Sequence, residues 1–160
     1  MQSIKNERSV ECTPDRLLAV LTSPEFEIQK QKDVSGALDA SVRETKRSDS
    51  ELVYEIHSTE YAKGIKGVDK TKTESIVITT LWNLKERHAE WTWVGPHGKK
   101  VVVSGNIHIK SQGEKSLLVT TLDVEVKIPL VGGQIEKMVA KEIDKSWHKF
   151  DALIDTYIQR

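Results

Sequence analysis

A strand that stops at Ile128-Pro129-Leu130-Val131-Gly132-Gly133, followed by one long amphipathic helix, leaves few architectures open to this chain. Ile135, Met138, Val139, Ile143, Trp147, Phe150, Leu153, Ile154, Tyr157 and Ile158 keep a 3.6-residue period, so they form one broad apolar stripe. At ~1.5 Å per residue a helix from Gln134 to Arg160 reaches roughly 40 Å, enough to cross a whole sheet. A stripe of that size exceeds any ordinary exposed apolar patch, so the helix must fold back onto something. The strand before it supplies the surface.

The middle of the chain is a β region punctuated by turns. Candidate strands run over 37–47, 51–61, 71–84, 87–95, 99–110 and 115–128. Ser48-Asp49-Ser50, the Gly64–Gly67 stretch, Lys85-Glu86, Gly95-Pro96-His97-Gly98 and Gln112-Gly113 separate them. Alternation is clearest late, where Val101, Val103, Ile107 and Ile109 share a face and Ser104, Asn106, His108 and Lys110 share the other. One wet face and one covered face mean an antiparallel sheet, and the short links between strands mean a meander. Ahead of it, residues 3–11 form a first strand. Thr13-Pro14-Asp15 and Thr22-Ser23-Pro24-Glu25 each open a short helix, with a capping hydroxyl followed by proline at the first helical position.

Composition bounds the rest. With 160 residues, 38% apolar and 30% charged, the chain reads as a single globular domain over 1–160. Lys+Arg and Asp+Glu both number 24, so no global field favours nucleic acid. The lone Cys12 rules out an internal disulfide and fits a reducing compartment, so a cytoplasmic location is expected. Residues 1–8 lack a signal-peptide core, and no stretch approaches the ~18 apolar residues of a membrane span.

Three segments carry a family resemblance. Thr13 to Thr22 followed by Ser23-Pro24-Glu25-Phe26 resembles the first-helix signature of the START-like superfamily, also called SRPBCC and shared with birch-pollen-allergen-like proteins. Lys127 to Lys137, with its Pro-Leu-Val-Gly-Gly core, is similar to the strand-to-helix joint of one bacterial branch known chiefly as a family of unknown function. The strand count and order are the third. The resemblance implies an α+β helix-grip fold in β-α-α-β6-α order: a seven-stranded curved antiparallel sheet gripping the long C-terminal helix, with a cavity between them. Members use that cavity for lipids, sterols, polyketides or quinones, and others are cyclases or chaperone-binding modules, so the fold leaves function open.

Site candidates follow from where side chains should point. Trp91 and Trp93 share one face of their strand and read either as a flat cavity wall with N–H donors or as core filler; Tyr54 and Trp82 carry the same ambiguity. On the helix, Ser146 falls in the apolar stripe and Glu142 and Glu136 at its edges. An inward glutamate needs a partner, which Arg8 or Asn6 on the first strand could supply, or else it snorkels to solvent. The expected pocket lining is therefore Tyr54, Trp82, Trp91, Trp93, Glu142, Ser146 and Arg8. His57, His88, His97, His108 and His148 show no ligand spacing, so no metal is expected. No phosphate loop, dinucleotide glycine pattern or nucleophile elbow occurs, so neither cofactor nor catalytic residue is expected. Gly132-Gly133 is expected to serve the sharp turn and close packing of the helix. Lys137, Lys141, Lys145 and Lys149, with Asp144, Asp151 and Asp155, read as a solvated, salt-bridged outer face. These features favour binding of a hydrophobic small molecule or lipid by a monomer or weak homodimer without stable membrane insertion. The alternative is a cyclase-, dehydratase- or hydrolase-type enzyme using Glu142 with Arg8.

Overall fold

The computed structural model describes residues 1–64 and 66–160; Ile65, within the expected Gly64–Gly67 turn, lies outside the described residues. The order is β1 (Gln2–Val10), α1 (Pro14–Leu21), α2 (Pro24–Asp33), β2 (Asp39–Arg47), β3 (Glu51–Gly64), β4 (Gly67–Asn83), β5 (His88–Val94), β6 (Val101–Gln112), β7 (Lys115–Val126) and α3 (Gly132–Ile158). The seven strands form one antiparallel sheet in the order β1-β7-β6-β5-β4-β3-β2. This is the helix-grip architecture that the pattern of elements implied.

Local chemistry sets the two short helices. Thr13 Oγ1 accepts from the Arg16 N–H at 3.2 Å, Ser23 Oγ accepts from the Phe26 N–H at 3.4 Å, and a proline follows each cap. Such caps stabilise a helix end by about 1 kcal/mol each. Leu17, Val20 and Leu21 of α1 and Phe26 of α2 are buried against one end of α3. The phenyl ring of Phe26 meets Phe150 at 6.3 Å and Tyr157 at 5.2 Å, edge-on in both cases.

Two apolar clusters divide the interior. The larger joins α1, α2, the sheet and the C-terminal half of α3 through Phe150, Leu153, Ile154 and Tyr157. The smaller consists of Val103, Leu122, Val124 and Val126, with Trp91, Trp93, Ile135, Val139 and Ile143 packed against it. Burial along α3 is uneven. Phe150, Leu153, Ile154 and Tyr157 are buried, whereas Ile135, Met138, Val139, Ile143 and Trp147 on the same stripe are only half-buried. The C-terminal half of the helix is wedged in; the first half lies over an incompletely filled space.

The strand-to-helix joint differs from expectation in one respect. A Cβ at Gly132 would collide with the Val126 carbonyl oxygen, so close packing does require glycine there, while Gly133 faces open space. The left-handed turn itself falls on Leu130, at φ 71°. Neither glycine has a positive φ.

The uneven burial makes a quantitative prediction. Ile154→Ala should lower the unfolding free energy by about 2–5 kcal/mol, the range for deleting a fully buried aliphatic side chain. Ile143→Ala should cost less than half as much. Urea denaturation of both variants at matched conditions checks the contrast.

Candidate functional site

The concave face of the sheet is set by register. Ile4↔Leu122, Gly105↔Leu122, Trp91↔Gly105, Thr80↔Trp91, Tyr54↔Thr80 and Ile56↔Ile78 lie on cross-strand lines, so their side chains share that face. Trp91 lies over Gly105, where an added Cβ would meet its ring at 2.6 Å as well as the Thr121 carbonyl oxygen. Trp93 similarly lies over Gly95. The glycines thus let two indoles lie flat in the hollow of the sheet. Facing them across the gap are Ile135, Val139 and Ile143 of α3. Both apolar surfaces remain half-exposed although they face one another.

A hollow adjoins this wall at the ends of β5 and β6. Pairing of β5 with β6 stops at Trp93↔Val103, and beyond it the strands splay around the tight helical turn Gly98–Lys100. A hollow of ≈ 300 Å³ occupies the splay, lined by Trp93 and Val103 on the concave face and by Thr92, Val94, Lys99 and Val102. It is open and no α3 residue lines it, so beneath α3 the expected chamber is reduced to the half-covered cleft under Ile135, Val139 and Ile143. A second hollow, ≈ 280 Å³, lies elsewhere, on the outside between α2 and the end of α3.

The polar groups on the concave face sort into paired and unpaired. Trp82 is fully buried and its Nε1–H donates to Tyr54 Oη at 3.2 Å. Burial, with the nearby Glu27 carboxylate adding to it, pushes the Tyr54 phenol far above its ordinary value, so it stays protonated. Glu27 itself is buried and ion-paired with Lys30 at 2.9 Å. By contrast, Ser58 Oγ on β3 and, on α3, Trp147 Nε1 and Asp151 Oδ1 are buried without a hydrogen-bond partner.

Several sequence expectations need correction. Glu142 does not enter the cleft: its side chain is 70% exposed and pairs with Lys145 at 3.3 Å. Arg8 does face inward, but its partners are Asp155 at 2.7 Å and Asp151 at 3.4 Å, with a further bond to the Asp151 carbonyl at 3.0 Å. Asp151 and Asp155 are therefore half-buried on the β1 side of α3, not on a solvated outer face. Ser146 donates to the Ile143 carbonyl at 2.6 Å, which commits its hydroxyl within the helix. Trp82 and Tyr54 lie in the filled core, leaving Trp91 and Trp93 as the aromatic wall. His88 and His108 are half-buried cross-strand neighbours with ring centroids 5.8 Å apart. Burial, and then Lys110, hold His108 below its ordinary value. Among the described residues no cluster of three metal-ligating side chains occurs. No helix of the described chain is long and apolar enough to cross a membrane.

Glu136 is the inward glutamate that was expected to need a partner. It is buried at the start of α3 and accepts from the Val126 N–H at 2.9 Å, with the Met1 amino group also 2.9 Å away. The Val126 bond holds the carboxyl below its ordinary value of 4.5. A depressed folded value means stability that is present above pH 4.5 and lost as pH falls through the folded value. Acid titration of the unfolding free energy should therefore decline less steeply below pH 4.5 in Glu136→Gln, which should also melt several degrees lower at neutral pH.

The profile of a family described as "Protein of unknown function (DUF2505)" matches residues 5–158. No curated protein matches the chain. Three similar solved structures illustrate the fold. TTHA0849 from Thermus thermophilus is 18% identical, with a TM-score of 0.66 over 99% of this chain and 97% of that one. A START superfamily protein from Mycobacterium smegmatis is 14% identical, with a TM-score of 0.59 over 98% and 97%. The Zhui aromatase/cyclase from Streptomyces sp. R1128 is 11% identical, with a TM-score of 0.58 over 98% and 90%. At these identities the likeness is one of fold.

Proposed function

The chain belongs to the DUF2505 family, in which it has a START-like helix-grip fold, and we propose that it binds a hydrophobic small molecule or lipid between the first half of α3 and the concave face of the sheet. One observation carries this reading. The apolar stripe of α3 from Ile135 to Ile143 and the Trp91–Trp93 wall face each other and are both left half-exposed. Water against two facing apolar surfaces costs about 25 cal/mol per Å², and a guest that displaces it recovers that energy. Ligand sites have this composition, predominantly apolar and aromatic with a few placed polar groups. The unpartnered Ser58 Oγ, on the same face of the sheet, is the polar group available to orient a guest with an oxygen-bearing head.

The structural neighbours single out no one reaction, since a START superfamily protein and an aromatase/cyclase share the fold. The enzyme alternative rested on Glu142 as acid with Arg8 beside it. Glu142 stands in solvent and Arg8 is committed to Asp151 and Asp155, so that reading loses its named carriers. A cytoplasmic location belongs to the same proposal; it rests on the single thiol, Cys12, which half-burial holds above its ordinary value.

Val139→Trp should fill the cleft while leaving the anchored half of α3 untouched. Titration with a solvatochromic fatty-acid probe, followed by energy transfer from the tryptophans, should show binding by the parent chain and at least about tenfold weaker binding by the variant, for about 1.4 kcal/mol of lost contact. Native mass spectrometry of chain purified from its own host should also show a lipid-sized adduct. A parent chain that carries no adduct and binds no probe would end the proposal.

A further inference from the structure

The two ends of the sheet differ in charge and apolarity, although the chain as a whole has a formal net charge of zero. The β3–β4, β5–β6 and β7–α3 connections all lie at the end where the cleft opens. Residues 63–72, 95–100 and 127–133 hold seven lysines (63, 66, 70, 72, 99, 100 and 127) and one acid, Asp69. Connections at the opposite end, 11–13, 48–50, 84–87 and 113–114, hold two basic residues, Lys85 and Arg87, and four acids. Two of these six are paired, Arg87 with Asp15 at 2.7 Å and Glu11 with Lys115 at 3.0 Å, so the ends differ first in sign, acids predominating here and lysines at the cleft end. At the cleft end Lys66, Lys70, Lys72, Lys99 and Lys100 make no ion pair among the described residues, and Lys127 is only 3.9 Å from Glu125.

Exposed apolar side chains follow the same division. Met1, Leu38, Val68, Val94 and Leu130 stand at the cleft end, and Leu81 is the one large exposed apolar residue elsewhere among the described residues. β3 and β4 also run beyond their last pairs with β2 and β5, at Thr59 and Val77, as a two-stranded ribbon. From Thr59 to Gly64 the ribbon projects roughly 17 Å at ~3.3 Å per residue. A register shift between Tyr61 and Ala62 throws Lys70-Thr71-Lys72 out of the ladder near its tip.

Leu130 is the sharpest observation. Its backbone is left-handed, φ 71°, and its side chain is fully exposed. Stability alone would choose glycine or asparagine there, because both tolerate this conformation and neither presents apolar surface to water. A bulky apolar side chain held out under strain, at the same end of the sheet as five unpaired lysines, is what a bilayer contact requires: insertion of the apolar group and attraction of the cations to anionic headgroups.

We propose that the end of the sheet bearing the β3–β4 ribbon tip, the β5–β6 turn and Leu130 is a docking face for an anionic lipid bilayer, which the cleft mouth would meet directly. Docking is separable from the ligand reading, because contact through surface lysines is lost as salt rises, whereas a guest held in the apolar cleft is not. The parent chain should co-sediment with vesicles containing about a third phosphatidylglycerol, should not with pure phosphatidylcholine, and should dissociate as salt rises. Charge reversal at Lys70, Lys72, Lys99 and Lys100 should weaken the association by about fivefold per lysine. Leu130→Asn is the decisive variant: it should melt at the same temperature as the parent or higher, yet bind vesicles several-fold more weakly. Lys85→Glu at the opposite end should change nothing. Absence of binding to anionic vesicles at low salt would overturn the proposal and leave this face to an acidic protein partner. Equal binding to neutral vesicles, an equal effect of Lys85→Glu, or no effect of Leu130→Asn would overturn it as well.

Discussion

Everything in this fold depends on how α3 is held across the sheet, and it is held at its ends. At the C-terminal end Phe150, Leu153, Ile154 and Tyr157 enter a pocket made by α1, α2 and the sheet. Burial of four such side chains contributes on the order of 1.5–3 kcal/mol each. The Arg8 guanidinium, bridging to Asp151 and Asp155, fixes the rotation of the helix on β1. Because the Arg8 side chain is 19% exposed and Asp155 47%, this pairing contributes orientation more than energy. At the N-terminal end a single buried carboxylate, Glu136, ties the helix to the last residue of β7. Between these anchors roughly three turns bridge the sheet with half their apolar face uncovered. A helix fixed at one end alone would fray or collapse inward; two anchors let it span a gap.

Much of this was legible in the sequence because it depends on period. Alternation of two gave the strands and their wet and covered faces, and a period of 3.6 gave the helix stripe. Caps gave the starts of α1 and α2 within a residue. What period cannot give is the phase of the helix relative to the sheet, which depends on crossing angle and sheet curvature. Glu142 and Asp151 illustrate the point. Both flank the same stripe, yet Glu142 is exposed and Asp151 half-buried, because β1 approaches only one flank of the helix. The same limit applies to the tryptophans. Trp82, Trp91 and Trp93 all point to the concave face, and only the placement of α1 and α2 over one end makes Trp82 core and leaves the other two uncovered. The left-handed Leu130 was hidden for a different reason: two glycines two residues later offered an obvious but incorrect site for the turn.

Polar satisfaction follows packing only in part. At the filled end, Trp82 Nε1 finds Tyr54, Ser116 Oγ donates to the Cys12 carbonyl at 2.8 Å, and Tyr157 Oη donates to Glu25 at 3.3 Å. Ser58 Oγ on the concave face has no hydrogen-bond partner, and neither do Trp147 Nε1 and Asp151 Oδ1 on α3. A buried polar group left unpaired costs about 1–3 kcal/mol, comparable to a large fraction of a small domain's net stability. Such groups persist only if something offsets them, either ordered water or a guest that supplies the missing bonds.

Several departures from local rules share one end of the molecule. Half-covered apolar faces, the orphaned Ser58 hydroxyl, five unpaired lysines and a strained, exposed leucine lie in the cleft or at its open end, while the opposite end is more closely packed, although it holds the left-handed Arg87 and an Asp151 Oδ1 without a hydrogen bond. A chain under no pressure but stability would be expected to spread its imperfections, since each is corrected independently by a single substitution. Their concentration at one end is the signature of a region shaped by contact with something outside the chain. The anchored end of α3 makes that concentration tolerable, because its burial holds the fold while the rest of the helix stays uncovered.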